Sequence, residues 1–169
     1  MKNQKKVESR MTGYISECYV VYELARKGIK AQKMDSFMGH YDLITEFGVR
    51  VEVKCSRPTI SWNGAKTHKS LIWMFNNQNK EYIFSNGSMR ESRKIRDRDC
   101  DFFIFIGMDN DRNIKGVFIV PKSIVGKKQV LSEPVVRKRI NSRTTLNLRD
   151  WEDRWDLLTS QKQRNTRPK

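Results

Sequence analysis

The chain lacks long apolar runs and has few cysteines, and each absence excludes a class of protein. No apolar run approaches the roughly 20 residues of a transmembrane helix, and the charged first ten residues are not followed by the apolar core of a secretion signal. The three cysteines are scattered, and no two form a CxxC pair. We therefore expect a soluble, intracellular and cytoplasmic protein with buried, reduced thiols and neither a disulfide nor a zinc site.

Acidic residues are scarce relative to basic ones. The 169 residues include 34 Lys and Arg against 19 Asp and Glu, giving a formal net charge of +15 and a pI near 10.0. A domain this basic attracts polyanions, and release of condensed counterions favours its binding to nucleic acid. A membrane surface is a weaker alternative, because no basic helix with a wide apolar face is present. The charge therefore predicts a nucleic-acid partner, but it does not predict a chemical reaction.

The length fits a single domain over residues 11–159, between a flexible basic arm at 1–10 and a disordered basic tail at 160–169. Apolar residues at three- and four-residue steps predict helices over 12–27 and 147–158. Alternation and apolar runs predict strands at 29–34, 41–47, 49–55, 70–75, 101–107 and 116–120. Residues 61–69 resemble a polar loop, and 76–99 have no strong period. This order predicts a mixed α/β domain.

Glu17 interrupts the apolar stripe of the first predicted helix, between Tyr14 and Val21. A carboxylate directed at a core is costly unless a cation compensates it. Taken alone, Glu17 is better explained as a residue at the boundary of the core that reaches solvent or meets a lysine.

Two more acids belong to the predicted hairpin around Gly48. Alternation places Glu52 and Lys54 on one face of the second strand, and Asp42 opens the preceding strand. Each is ordinary by itself, as part of a solvated face or as a turn residue. The hairpin brings Asp42 near the level of Glu52, and a helix packed across it can deliver Glu17 to the same place.

Carboxylates that converge in this way repel one another unless a hard cation lies between them. Magnesium prefers such oxygen ligands and accepts phosphate oxygens as further ligands. Lys54 adds a compact positive charge to the same cluster. The pattern therefore indicates hydrolysis of a phosphodiester.

Taken in chain order, Glu17, Asp42 and the triplet Glu52-Val53-Lys54 resemble the PD-(D/E)XK nuclease superfamily. This superfamily includes restriction enzymes, archaeal Holliday junction resolvases and some intron-encoded homing endonucleases. The resemblance covers about residues 12 to 121, and DFFIFIG followed by GVFIVP resembles the late hairpin of the resolvase-like and intron-associated branches. Tyr41 departs from the motif, which has proline before the aspartate. The resemblance implies a restriction-endonuclease-like core of αβββαβ type, with a central mixed sheet flanked by helices.

The resemblance also implies roles for these residues. Asp42 and Glu52 would bind Mg²⁺, for which Mn²⁺ is a plausible substitute, and the carbonyl of Val53 would add a ligand. Lys54 would orient or help deprotonate the attacking water, and Glu17 would hold a water of the metal or a second ion.

The implied activity is that of a DNA endonuclease of homing, restriction or junction-resolving type, acting on duplex or branched host DNA. We expect a homodimer or homotetramer, because cutting two strands requires two active sites. The alternatives are a basic nucleic-acid-binding protein without catalysis and an RNA nuclease.

Basic and polar residues in the loop after the catalytic strand and in two basic clusters are the expected DNA contacts. They are Ser56, Lys66, His68, Lys69, Arg90, Arg93, Lys94, Arg96, Arg137, Lys138 and Arg139. His40 is either a phosphate contact, an auxiliary acid or a local structural residue.

Overall fold

The computed structural model describes the backbone of residues 2–34, 41–62, 69–76, 78–85, 88–95, 99–126, 130–133 and 146–159. Side chains are described within 7–34, 41–58, 99–126 and 146–159. No helix in these parts of the chain has the length and apolar character needed to cross a bilayer. The expected tail at 160–169 and His40 lie outside the described residues.

The described residues form two α-helices, ten strands and two 3₁₀ helices. In chain order they are α1 (Lys2–Arg26), β1 (Ala31–Lys33), β2 (Leu43–Thr45), β3 (Arg50–Ser56), β4 (Pro58–Trp62), β5 (Lys69–Asn76), β6 (Gln78–Ser85), β7 (Ser88–Ile95), β8 (Phe102–Met108), β9 (Ile114–Pro121), α2 (Lys122–Val125), β10 (Val130–Glu133) and two 3₁₀ helices, Leu148–Trp151 and Trp155–Leu158.

The first helix begins well before its predicted start at Thr12. The backbone of residues 2–10, where we expected a flexible basic arm, belongs to α1. No glycine or proline occurs before Gly13, so nothing in the sequence stops the helix from extending in that direction. Gly28, at a φ of 75°, ends it as predicted, and the N–H of Ile29 donates to the carbonyl of Leu24 at 2.9 Å.

The central sheet has five strands in the order β1-β2-β3-β8-β9. Strands β1, β2 and β3 pair antiparallel, as do β8 and β9, whereas β3 and β8 pair in parallel. The hairpins β2–β3 and β8–β9 confirm the strand pairs expected from the sequence, although β2 is shorter than the predicted 41–47. The mixed sheet confirms the predicted fold class.

Apolar side chains cover both faces of this sheet. Alternate residues of β3 and β8 pack against α1 in a helix-side cluster that includes Val20, Leu24, Val51, Val53, Ile104 and Ile106. The intervening residues of β8 belong to a second cluster on the opposite face, which includes Cys100, Phe103, Phe105, Phe118, Val120, Val125 and Leu148. β8 is buried along its whole length, as its continuous apolar run predicts.

The crossover from β3 to β8 differs from the αβββαβ pattern. A helix is expected there, but the described residues of this crossover form β4 to β7 instead. β4 and β5 join β10 in a three-stranded sheet, and β6 and β7 form a two-stranded sheet. Pro58, which we expected to end the preceding strand, is the first residue of β4. Of the predicted polar loop over 61–69, Ser61 and Trp62 belong to β4 and Lys69 begins β5, and residues 63–68 lie outside the described residues.

The predicted helix over 147–158 is wrong in type. Two 3₁₀ helices replace it, and Asp153 between them has a positive φ of 52°. The N–H of Asp153 donates to the carbonyl of Val117 at 2.9 Å, and Glu152 forms a β-bridge with Phe118. Because these contacts tie the segment to the edge of β9, it cannot continue as one α-helix.

Candidate active site

Glu52 is a buried carboxylate in the middle of β3. Its neighbours Val51 and Val53 belong to the helix-side cluster, so alternation turns Glu52 toward the opposite face, level with Phe103 of β8. Its side chain is 1% exposed, and its Oε1 forms an ion pair with the Nζ of Lys54. A buried carboxylate is costly unless it is paired, so Lys54 offsets that cost. This arrangement matches the shared face predicted for the two residues.

Asp42 lies next to Glu52 at the end of the β2–β3 hairpin. Its backbone N–H donates to the carbonyl of Val51 at 2.9 Å, and its Oδ2 accepts from the N–H of Val53 at 2.7 Å. These two contacts bracket Glu52. The structure therefore brings together Asp42, Glu52 and Lys54, as the hairpin predicts.

The donor set at this point fits a hard divalent cation. The N–H and carbonyl of one strand residue point to the same side, so the Val53 carbonyl lies on the β2 side of β3, away from β8. Two carboxylates and a carbonyl are oxygen ligands of the kind that Mg²⁺ binds while keeping several waters. No group of three or more His, Cys, Asp or Glu side chains suited to a metal occurs among the described residues. Metal binding at this point therefore stays a prediction.

Glu17 is placed apart from this group. It belongs to α1, which covers the face of the sheet opposite to Glu52 and Lys54. Its Oε2 forms an ion pair with the Nζ of Lys33 at 2.7 Å, and that Nζ lies 4.1 Å from the centre of the Tyr14 ring. The expected convergence of Glu17 with the other acids is not seen, and the alternative of a boundary glutamate that meets a lysine describes its surroundings. Its catalytic role stays a prediction.

Arg50 is a feature of the site that sequence reasoning did not single out. Its backbone N–H donates to Asp101 Oδ2 at 2.9 Å, and its guanidinium contacts Asp101 at 3.0 Å and also pairs with Asp99. The hydrogen bonds to Asp101 raise the pKa of the guanidinium. This clamp joins the starts of β3 and β8 and fixes the register that sets Glu52 beside Phe103. In the sequence, a basic residue at the start of one strand and acidic residues before another are only a weak signal of an ion pair. The pair becomes evident once β3 and β8 are known to be parallel neighbours.

The cysteines differ in their surroundings. Cys100 is buried near Glu52, and burial raises the pKa of its thiol to about 12, with the Glu52 charge adding to the effect. Burial also raises the pKa of Cys55 on the helix side of β3. Cys18 is exposed on α1, which corrects the expectation that the thiols are buried. All three thiols are free.

The expected DNA contacts fall into three groups. Ser56 ends β3, and its hydroxyl donates to the carbonyl of Arg57 at 3.1 Å. The backbone of Lys69 begins β5, and Arg90, Arg93 and Lys94 lie along β7. The third group lies outside the described residues: Lys66, His68, Arg96, Arg137, Lys138 and Arg139. Contact with DNA stays a prediction for all of them.

The fold is restriction-endonuclease-like. It has an early helix, an antiparallel hairpin, a crossover to a parallel strand and a final hairpin, arranged around a mixed sheet. A solved structure with a similar fold is that of a bacterial homing endonuclease, I-Ssp6803I. The match has a TM-score of 0.53 and 17% identity, and it covers 88% of this chain and 91% of that chain. At this identity the likeness shows the fold alone. Neither a protein-family profile nor a curated protein matches the chain.

Proposed function

We propose that the protein is a divalent-metal-dependent DNA endonuclease of the PD-(D/E)XK superfamily. The observation that carries the proposal is the grouping of Asp42, Glu52 and Lys54 where β2 begins beside β3. The fold similarity to a bacterial homing endonuclease and the net charge of +15 support DNA as the substrate. Magnesium is the proposed metal, with manganese as a substitute.

The proposed reaction adds water across one phosphodiester bond. The water oxygen forms a bond to phosphorus, the bond from phosphorus to one sugar oxygen breaks, and that sugar oxygen takes up a proton. Asp42 and Glu52 hold negative charge at the site and, with the Val53 carbonyl, would bind the cation. When bound, the cation supplies Lewis-acid stabilisation of the phosphate oxygens.

Lys54 has two tasks in this proposal. It neutralises Glu52 within a buried site, and it offers a fixed positive charge toward the extra negative charge of the transition state. Glu17 has no role in the proposed reaction, because its described partner is Lys33, on the other side of the sheet. Homing, restriction and junction-resolving enzymes share this chemistry, so the type of DNA target is a matter for the substrate panel below.

Metal removal is the direct test. We expect the full-length protein to cut at least one DNA in a panel of supercoiled plasmid, a randomised linear duplex and a four-way junction in Mg²⁺ or Mn²⁺. EDTA should lower the rate by more than about a hundredfold, because the metal supplies most of the electrostatic stabilisation. Products are followed on denaturing gels.

Other outcomes of this panel separate the alternatives. Equal cutting with and without EDTA would contradict the metal dependence. Salt-sensitive binding to every DNA with no cutting would favour a non-catalytic nucleic-acid-binding protein. An RNA duplex is added to the panel, and cutting of that duplex with none of the DNAs cut would favour the RNA nuclease.

We also propose that the active form is a homodimer. Its surface is the outward side of α1, where exposed apolar residues recur at steps of four, three and eight: Val7 (62% exposed), Met11 (48%), Tyr14 (57%) and Tyr22 (60%). Such spacing suits a pair of helices, and a symmetric partner uses the same stripe of a second copy. The stripe lies on the helix side, away from the face that carries Glu52 and Lys54.

A positive charge placed on this apolar stripe should weaken the dimer. Met11→Lys should shift the mass measured by light scattering toward the monomer and weaken double-strand cutting, because it adds a positive charge to the apolar stripe of each subunit. Ile124→Lys is the matched control, since Ile124 is an exposed apolar residue (41%) on α2. The proposed surface would be contradicted by a monomeric wild type, or by a Met11→Lys variant whose mass equals that of the wild type.

A further inference from the structure

Strands β6 and β7 form a ribbon that is a sheet of its own within the described residues. Eight antiparallel pairs run from Gln78 opposite Ile95 to Ser85 opposite Ser88, without a shift in register. The ribbon lies in the crossover where the superfamily pattern expects a helix. In the described residues neither strand pairs with a strand of the central sheet.

Alternation and register divide the ribbon into two faces. One, the polar face, carries Asn79, Ser85, Ser88, Arg90, Ser92 and Lys94, together with Glu81 and one apolar residue, Ile83. The other, the mixed face, carries four apolar or aromatic residues, Tyr82, Phe84, Met89 and Ile95.

Charge does not distinguish these faces. The polar face has Arg90, Lys94 and Glu81, and the mixed face has Lys80, Arg93 and Glu91. Each face thus has two basic residues and one acidic residue. What differs is the density of hydrogen-bonding groups, and hydrogen bonds to base edges carry sequence information.

The dimensions of the ribbon suit the major groove of DNA. That groove is about 12 Å wide and admits a two-stranded ribbon. Alternate positions on one face of a strand are about 7 Å apart, close to two base-pair rises of about 3.4 Å. Arginine pairs with guanine, asparagine with adenine and serine with either. The deep, narrow major groove of RNA excludes such a ribbon.

We propose that the β6–β7 ribbon lays its polar face in the major groove of duplex DNA and reads base sequence there. The inference rests on the proposed function for its DNA partner, and it makes no use of the catalytic residues. It assigns base reading to the face on which register places Arg90 and Lys94, and not to the face of Arg93.

The test compares Arg90→Ala with Arg93→Ala in the full-length protein. Each change removes one positive charge from the same strand, three positions apart and on opposite faces. Duplexes with a randomised centre are retained on each protein in Ca²⁺ and sequenced. Thermal unfolding checks that both variants are folded.

The wild type should enrich a sequence motif. Arg90→Ala should lower discrimination at one position of that motif by about tenfold, whereas Arg93→Ala should keep the motif and change affinity equally for all sequences. The inference is overturned if the wild type enriches no motif, if Arg90→Ala keeps it intact, or if Arg93→Ala alone changes it.

Cutting of the same library in Mg²⁺ separates this inference from the proposed function. A protein that enriches a motif but never cuts would keep the reading ribbon and lose the nuclease. A protein that cuts without a sequence preference, or only at four-way junctions, would keep the nuclease and lose the reading ribbon.

Discussion

Glu52→Gln should lower the rate of DNA cleavage by at least about a hundredfold, the scale seen when one electrostatic contact to a transition state is removed. Glutamine has nearly the same shape as glutamate but no charge. It would therefore weaken both the binding of a cation beside Asp42 and the ion pair with Lys54. Cleavage is measured as an initial rate on the DNA that the wild type cuts best, in Mg²⁺.

A second measurement makes this prediction independent of activity. A ligand that binds only the folded protein raises its unfolding temperature. Mg²⁺ should therefore raise the unfolding temperature of the wild type more than that of Glu52→Gln. Equal shifts in the two proteins would place the cation elsewhere, whatever the cleavage rates.

Glu23→Gln is the matched control. It makes the same chemical change on α1, where Glu23 forms an ion pair with Arg26 at 3.0 Å. Arg26 is 62% exposed and Glu23 13%, so solvent screens the guanidinium, and this variant should cut like the wild type and lose less than about 1 kcal/mol of stability. If both variants lose activity equally, the loss reflects a general effect of removing negative charge, and the catalytic assignment of Glu52 fails.

The part of the fold that sequence predicts well is the part that is locally encoded. The alternation of β3 fixes the shared face of Glu52 and Lys54 within three residues of chain. Asp42 follows because the turn at Gly48, with a φ of 71°, holds its strand beside β3. The buried run of β8 predicts a central strand for the same local reason.

The position of Glu17 depends on packing between distant segments. The helical stripe predicts that α1 packs on the sheet, but it does not say which face of the sheet α1 covers. The structure places α1 on the Val51 and Val53 face, and Lys33 of β1 then meets Glu17. A charge pattern along the helix cannot distinguish this pair from a third carboxylate at the active site.

The β6–β7 ribbon was missed for a different reason. Strand prediction relies on apolar and polar residues alternating between a buried and a solvated face. Both faces of this ribbon carry charged residues, such as Arg90 and Lys94 on one and Arg93 on the other, so no clear period arises. Cross-strand pairing stabilises such a ribbon, and the sequence of one strand does not reveal which residues it will pair with.

Lys54→Met should destabilise the protein by about 3 kcal/mol, because it leaves the buried carboxylate of Glu52 without its lysine. Glu52 is 1% exposed and Lys54 is 16% exposed, so solvent screens this pair much less than a surface pair. The double variant Glu52→Gln/Lys54→Met should recover most of the loss, since both charges are then removed together. The free energy of unfolding in urea at neutral pH measures each variant.

Lys115→Met is the control for this cycle. Lys115 lies 3.4 Å from Asp109 and is 53% exposed, so its loss should change stability by less than about 1 kcal/mol. The double variant separates the two tasks of Lys54, because it should be folded and yet inactive in cleavage. A double variant that regains both stability and cutting would mean that the Glu52–Lys54 pair stabilises the fold and has no part in hydrolysis. An effect of Lys54→Met no larger than that of Lys115→Met would instead contradict the energetic coupling of the pair.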